Sequence, residues 1–160
     1  MGAIFEASDI VAMAVRVEQN GWKFYNTLQE TFESESAKEI FKFLAGEEKK
    51  HETIFKGLLG DLGQYKRSKV YVEEYNLYTQ ALADSHIFKE DSAVEEIARA
   101  AKTIIEALDA GIGFEKDSIL FFNELLNFVP EGQHPVIQKL IDEEKGHLLK
   151  LSQLKKESEG

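Results

Sequence analysis

The stretch AGEEKKHETIF at residues 45–55 returns in altered form as IDEEKGHLLKL at residues 141–151. Each contains a Glu-x-x-His motif, and each follows a partner stretch with one further glutamate: VEQNGWKFY at residues 17–25 and FEKDSILFF at residues 114–122. Corresponding glutamates of the two copies lie 97 and 96 residues apart, which indicates that one helical hairpin occurs twice. The repeated residues are Glu18, Glu48 and His51 in the first copy and Glu115, Glu144 and His147 in the second.

Apolar residues recur at alternating steps of three and four along four segments, which is the pattern of helices that bury one face in a bundle. The first segment repeats as Val11, Ala14, Glu18, Gly21, Tyr25, Leu28 and Phe32. The second repeats as Ala37, Phe41, Leu44, Glu48, His51, Phe55 and Leu58. The third is Ile104, Leu108, Gly111, Glu115, Ser118, Phe122 and Leu125, and the fourth is Ile137, Leu140, Glu144, His147, Leu151 and Leu154. The six repeated polar residues therefore occupy core positions.

These stripes predict an all-α four-helix bundle in a single domain over residues 1–160. The helices are expected at about residues 8–32, 36–59, 103–129 and 135–157. A link as short as 33–35 makes the helices on either side antiparallel neighbours, so we expect two antiparallel hairpins. A long crossover at about 61–102 joins them, with room for short helices at 73–83 and near 92–101.

Local signals mark the ends of these helices. Ser8 is predicted to cap the first helix, and Gly60 and Gly63 to end the second. Residues 103–106, TIIE, form a capping-box pattern at the start of the third helix. Pro135 fits the first turn of the fourth helix, where its missing N–H costs nothing.

The composition excludes several classes of function. The net charge of -10 argues against nucleic acid as a partner, since phosphate binding needs clustered Lys and Arg. The absence of cysteine excludes disulfides, iron–sulfur clusters and thiolate metal sites. No apolar run is long enough to span a membrane, and the N-terminus lacks the features of a signal peptide. We therefore expect a cytoplasmic protein.

Four carboxylates at one level of a bundle core need compensating charge. Each is costly to bury unpaired, and together they repel one another. Two metal ions supply the compensation, and two neutral histidines add one nitrogen ligand per ion. A spacing of three residues places the Glu and His of each motif on one helix face. The alternatives are a solvated helix face and a ligand set that serves structure only.

The register of the motifs leaves a choice of glutamates. Glu47 and Glu143 also precede the histidines, by four residues, and could face inward instead. We assign Glu48 and Glu144 to the core because they extend the stripes. Tyr25 lies two turns beyond Glu18 on its stripe, where its hydroxyl could bond a metal ligand or its ring could simply pack.

The four quoted stretches resemble the rubrerythrin branch of the ferritin-like superfamily over nearly the whole chain. The resemblance implies a ferritin-like bundle with a di-iron site. In it Glu48 and Glu144 would bridge the metals, and Glu18 and Glu115 would be terminal ligands. His51 and His147 would each bind one iron. Tyr25 matches the tyrosine that family members place near the site, and we expect a catalytic role for it.

Two departures from that family affect the expected chemistry. Rubrerythrins often end in a rubredoxin domain whose four cysteines hold one iron, whereas this chain has no cysteine, so its electrons should come from a separate, rubredoxin-like donor protein. Family members also carry a second glutamate one turn after the third-helix ligand, which replaces another ligand when the irons change oxidation state. That position is Ser118 here, and its counterpart in the first repeat is Gly21.

The resemblance implies a redox enzyme that reduces hydrogen peroxide, or reacts with O2, at two iron ions. Manganese, a mixed Mn/Fe pair, or zinc in purified protein would suit the same ligands. The alternatives are ferrous oxidation and iron storage, as in ferritins, and oxidation of an organic substrate. A homodimer is expected for the redox enzyme and a 24-subunit shell for storage.

Overall fold

The computed structural model describes residues 6–63, Ala81 and 91–160. This part of the chain contains five α-helices, one 3-10 turn and no β-strand. The helices are α1 (Ala7–Thr31), α2 (Glu35–Leu62), α3 (Asp91–Ala100), α4 (Ile104–Leu125) and α5 (His134–Glu159), and the 3-10 turn is Glu131–Gln133. Apart from Ala81, which is helical, the short helix predicted at 73–83 lies outside the described residues.

Two hairpins build the bundle, and the predicted all-α fold is confirmed. α1 packs along α2 after the short link at 32–34, and α4 packs along α5. The short helix α3 lies against α1 and touches α4, so it covers one side of the first hairpin. Within the described ranges, no helix is both long and apolar enough to cross a membrane.

The four predicted stripes are the buried faces of the long helices. Every stripe residue is buried except Phe32, Ile104 and Leu154, which lie at the ends of the stripes and are partly buried. Burial of such a face supplies most of the stability of a bundle helix, because isolated helices are only marginally stable in water. The stepping of apolar residues by three and four therefore identified the core correctly.

The interior consists of two apolar cores separated by a polar layer. The first core brings together residues such as Val11, Phe55, Phe122 and Ile137. The second core brings together residues such as Leu28, Phe41, Leu108 and Leu151. Along each of α1, α2, α4 and α5, one core ends and the other begins at the repeated glutamate, so the six polar residues lie between two apolar regions.

The ends of the first two helices differ from the prediction. Ser8 is not the cap of α1: the helix begins at Ala7 with Glu6 as N-cap, because the Asp9 carboxylate accepts a hydrogen bond from the Glu6 backbone N–H at 3.0 Å. Gly60 does not end α2 either. The helix continues to Leu62, which packs in the first core, and then stops at Gly63 in a left-handed conformation (φ 52°).

The third helix ends four residues earlier than predicted. α4 stops at Leu125, and the next residues form tight turns in which the Phe128 backbone N–H donates to the Leu125 carbonyl at 2.9 Å. The tightening places Phe128 and Val129 in the first core. At its start, α4 has the predicted capping box between Thr103 and Glu106, and this separates α4 from α3.

The close approach of α1 and α2 depends on one glycine. A Cβ atom at Gly21 would lie 2.5 Å from Oε2 of Glu48 and 2.9 Å from its Cδ. Any side chain at position 21 would therefore force the Glu48 side chain to shift. The absence of a side chain here is a packing requirement that the stripe pattern alone does not reveal.

We predict that Gly21→Ala lowers the free energy of unfolding by about 1–2 kcal/mol, the typical cost of overpacking a core. Gly46→Ala is the matched control, because Gly46 is exposed in the interior of α2 and its added Cβ would meet nothing within 4 Å. Its higher helix propensity should raise the free energy of unfolding by about 0.5–1 kcal/mol. Urea unfolding measures both, and equal stabilisation by the two variants would contradict the predicted clash.

Candidate metal centre

The six repeated residues meet in the polar layer at the middle of the bundle. α1 contributes Glu18, α2 contributes Glu48 and His51, α4 contributes Glu115, and α5 contributes Glu144 and His147. None of the six exposes more than 3% of its surface. At that depth, water cannot solvate the carboxylates, and compensation has to come from groups inside the layer.

One group of potential ligands surrounds His147. Its Nδ1 lies 3.3 Å from Oε2 of Glu144, 3.8 Å from Oε1 of Glu48 and 3.8 Å from Oε2 of Glu115. One donor atom from each of these four residues falls within 4.8 Å of the others. Three carboxylates and an imidazole at such distances could close around one metal ion.

A second group surrounds His51. Its Nδ1 lies 2.8 Å from Oε1 of Glu144 and 3.6 Å from Oε1 of Glu18. Glu144 therefore belongs to both groups, with one oxygen directed to each histidine. The two imidazole rings stack nearly parallel, with centroids 5.6 Å apart. A shared carboxylate between two histidine-containing groups is the arrangement of a paired-metal site.

Several of these donor atoms have no hydrogen-bond partner among the described residues. An unpaired buried carboxylate oxygen is costly, and natural proteins rarely keep one without a function. Metal ions would satisfy all of these atoms at once, so the donor set fits a di-metal site. The unpartnered atoms are both carboxylate oxygens of Glu18, Oε1 of Glu48, Oε2 of Glu115, Oε2 of Glu144 and Nδ1 of His147.

The register assigned from the stripes agrees with the burial of the four glutamates in question. Glu48 and Glu144 are buried, whereas Glu47 and Glu143 are partly exposed. The sequence nevertheless missed Glu143, whose Oε2 lies 2.7 Å from Nε2 of His51. The sequence did show an acidic residue next to the candidate ligand Glu144. Its contact with His51 could not be predicted, because that contact depends on how α5 is rotated against α2.

Tyr25 is completely buried and both packs and bonds in the layer. Its hydroxyl donates to Oε1 of Glu115 at 2.5 Å and lies 3.5 Å from the Gly111 carbonyl oxygen. Its ring packs edge-on against Phe24 and Phe114. Burial, and then the charge of Glu115, raise the pKa of Tyr25 well above its usual value, so the phenol keeps its proton. Tyr25 therefore both packs in the core through its ring and bonds a candidate metal ligand through its hydroxyl.

Ser118 turns away from the polar layer. Although buried, its hydroxyl donates to the Phe114 carbonyl of its own helix at 3.0 Å. This short side chain cannot take the part of the extra glutamate that the family resemblance led us to consider at this position. On the opposite side, the corresponding space beside Gly21 is filled by the Glu48 carboxylate.

Three carboxyl groups hold their protons strongly in the metal-free layer. Burial is the main cause for each, and it raises the pKa of Glu18, Glu48 and Glu115 well above the usual value. The charge of Glu144 adds to the effect for Glu18 and Glu115, and Glu18 has the same influence on Glu48. Metal binding must therefore displace these protons.

Glu144 and the two histidines carry the charge of the metal-free layer. Burial opposes the charged form of all three, but their close contacts and opposite charges outweigh it. The pKa of His51 rises to about 9 and that of His147 to about 10, chiefly through Glu144 for His51 and through Glu115 and Glu144 for His147. The pKa of Glu144 falls well below its usual range through its contacts with Glu115 and both histidines, which outweigh its burial.

These shifts predict that metal-free protein loses stability as the pH rises from about 6.5 to 9. The folded histidines hold protons that the unfolded chain releases near pH 6.5, so their contribution is complete below that pH and disappears as pH rises through the folded pKa of about 9. Each kcal/mol lost lowers the Tm of a chain this size by about 2–4 °C. Bound metal should flatten or reverse this dependence, because the ligands are then already deprotonated.

Thermal unfolding across this pH range, with and without a chelator, measures the effect. A metal-free Tm that rises from pH 6.5 to 9 would contradict the assigned protonation states.

Comparison with known proteins gives a consistent result. Residues 9–155 match the family model of rubrerythrin. The chain is also similar to the crystal structure of a Thermotoga maritima protein that is provisionally described as a ferritin-like diiron-carboxylate protein, with 32% sequence identity and a TM-score of 0.73. This similarity covers 96% of the present chain and 97% of that chain. No curated protein is significantly similar to the chain.

The family model covers the four long helices and all six residues of the polar layer. The similarity in structure extends over almost the full length of both chains. Taken with the buried carboxylate and histidine groups, these matches show that the chain belongs to the rubrerythrin family.

Proposed function

We propose that the protein is a di-iron redox enzyme that reduces hydrogen peroxide. The observation that supports this most directly is the position of Glu144, whose two oxygens face two separate histidine-containing groups. In this proposal Glu144 and Glu48 would be shared by the two ions, Glu18 and Glu115 would each hold one ion, and His51 and His147 would hold one ion each. Two adjacent iron ions would supply two electrons, one from each.

Iron is the proposed metal because carboxylates stabilise its ferric state and imidazole suits it as well. The same ligands would accept manganese, a mixed Mn/Fe pair, or zinc acquired during purification. Element analysis of protein from iron-replete cells distinguishes these cases.

The protein's own residues would control protons and water around the reaction. Reduction of one peroxide to two waters consumes two protons and two electrons. Tyr25 keeps its proton at neutral pH and holds it against Glu115, at the edge of the polar layer. The apolar cores on both sides exclude bulk water from the layer. We propose that Tyr25 fixes Glu115 and serves as the nearest proton-bearing group.

The electrons would come from a separate donor protein. The chain has no cysteine and therefore no thiolate-bound iron of its own. A rubredoxin-like carrier that restores the reduced state after each peroxide would complete the cycle. O2 is the alternative oxidant in the same scheme.

Two cavities of about 330 and 290 Å³ have no candidate metal ligand in their linings and therefore give no support for oxidation of an organic substrate. A small apolar cavity of about 60 Å³ lies near the layer, lined by Phe24, Val94, Ile97, Ala110 and Phe114. None of these is a candidate ligand, and a drug-sized molecule needs about 300 Å³ or more. This cavity is therefore too small to bind an organic substrate of that size.

We predict that anaerobic ferrous protein is oxidised rapidly by one peroxide for every two irons. Glu144→Ala should lose this reaction, because both positions lose a ligand, and its iron affinity should fall at least about 100-fold. Asp142→Asn is the control, since Asp142 is exposed on the same helix. Stopped-flow absorbance of the ferric product measures both, and equally fast peroxide turnover by the metal-free protein or by Glu144→Ala would contradict the proposal.

The native mass of the same preparation separates the redox enzyme from the storage alternative. We expect a homodimer. A closed shell of 24 subunits that accumulates iron far beyond two ions per chain would favour storage.

A further inference from the structure

The two histidines of the polar layer are held differently on their outer sides. Nε2 of His51 lies 2.7 Å from Oε2 of Glu143, which belongs to α5 on the other hairpin. The ring of His147 instead meets the edge of Phe43, with centroids 6.1 Å apart. Within the described residues, no carboxylate contacts Nε2 of His147. The two histidines therefore differ at Nε2, which faces a carboxylate in His51 but not in His147.

The duplicated hairpin makes this difference informative. Glu47 is the counterpart of Glu143 in the repeat, and exact symmetry would place it against His147. Glu47 instead forms an ion pair with Lys50 on its own helix. Glu47 also lies near His51 and Glu143, so both copies of the acidic residue are on the His51 side of the layer.

A carboxylate on Nε2 determines which nitrogen of His51 faces the metal. Glu143 accepts the Nε2 proton, and this leaves the lone pair of Nδ1 directed at the interior when the ring is neutral. That nitrogen is the one beside Glu144 and Glu18, at 2.8 and 3.6 Å. Such outer partners orient a ligand, raise its basicity and typically change metal affinity by about 10–100-fold.

We infer that Glu143 is a positioning residue that makes the two metal positions unequal, by strengthening binding at the position of Glu18, His51 and Glu144. This inference rests on the proposed two-metal centre. The position around His147 lacks the equivalent support and relies on its three carboxylates. Removal of Glu143 should therefore weaken one binding step and leave the other unchanged.

Glu143 can be removed without damage to the bundle. About a third of its side chain is exposed, and its other charged contact is Lys139, at 3.9 Å from Oε1. A contact of this kind contributes little to stability. Glu143→Gln keeps the size of the side chain and removes the charge, and Asp142→Asn removes a charge at the exposed neighbouring position of the same helix.

The test is an anaerobic titration of metal-free protein with Co²⁺, followed by calorimetry and by the visible absorption of bound cobalt. The wild type should bind two ions in two distinguishable steps. In Glu143→Gln, one dissociation constant should rise about 10–100-fold with a changed absorption band, and the other should stay the same. Asp142→Asn should retain both steps, and all three proteins should melt within about 2 °C of one another once the metal is removed.

The inference is overturned if Glu143→Gln binds both ions as the wild type does, or if Asp142→Asn weakens binding equally. Failure of the proposed centre looks different, because the wild type itself would then bind fewer than two Co²⁺ ions.

Discussion

Four carboxylates buried at one level of an apolar bundle form the constraint on which this structure depends. Each is kept from water by two hydrophobic cores, and the metal-free protein tolerates them only by keeping three protonated and placing the fourth between two charged histidines. Well-packed apolar residues at these positions would give a more stable bundle. A chain that keeps such a layer, in both copies of a repeat, does so because something else occupies it.

The same buried carboxylates explain why two neighbouring core residues, a glycine and a tyrosine, occupy their positions. Gly21 has no side chain because the Glu48 carboxylate fills the space beside it. Tyr25 is buried among aromatic rings, yet its hydroxyl is satisfied because Glu115 accepts its proton in a hydrogen bond. In each case a residue of the core takes its position from an oxygen of the layer rather than from apolar contact.

Duplication and divergence are both visible in the centre. The two hairpins supply the same set of candidate ligands, and Glu144 belongs to both groups. The surroundings differ, however: Glu143 contacts His51, whereas Glu47 pairs with Lys50 and Phe43 covers His147. A centre built from two equal halves has therefore become unequal in the groups that hold its histidines.

Much of this architecture follows from the sequence, because helix periodicity and burial are local in origin. The alternation of steps of three and four was sufficient to find the buried faces and to bring six polar residues to one level. The pairing of Glu143 with His51 was not accessible, since it depends on the rotation of α5 against α2. The end of α2 also escaped prediction, because the burial of Leu62 outweighs the helix-breaking tendency of Gly60.

Crystals of the iron-loaded protein, measured on both sides of the iron absorption edge, test the central claim most directly. Two anomalous peaks should appear in the polar layer, one beside each histidine, with Glu144 in contact with both and ligand distances of about 2.0–2.3 Å. An iron-loaded crystal with no anomalous peak among Glu18, Glu48, Glu115, Glu144 and the two histidines would contradict it.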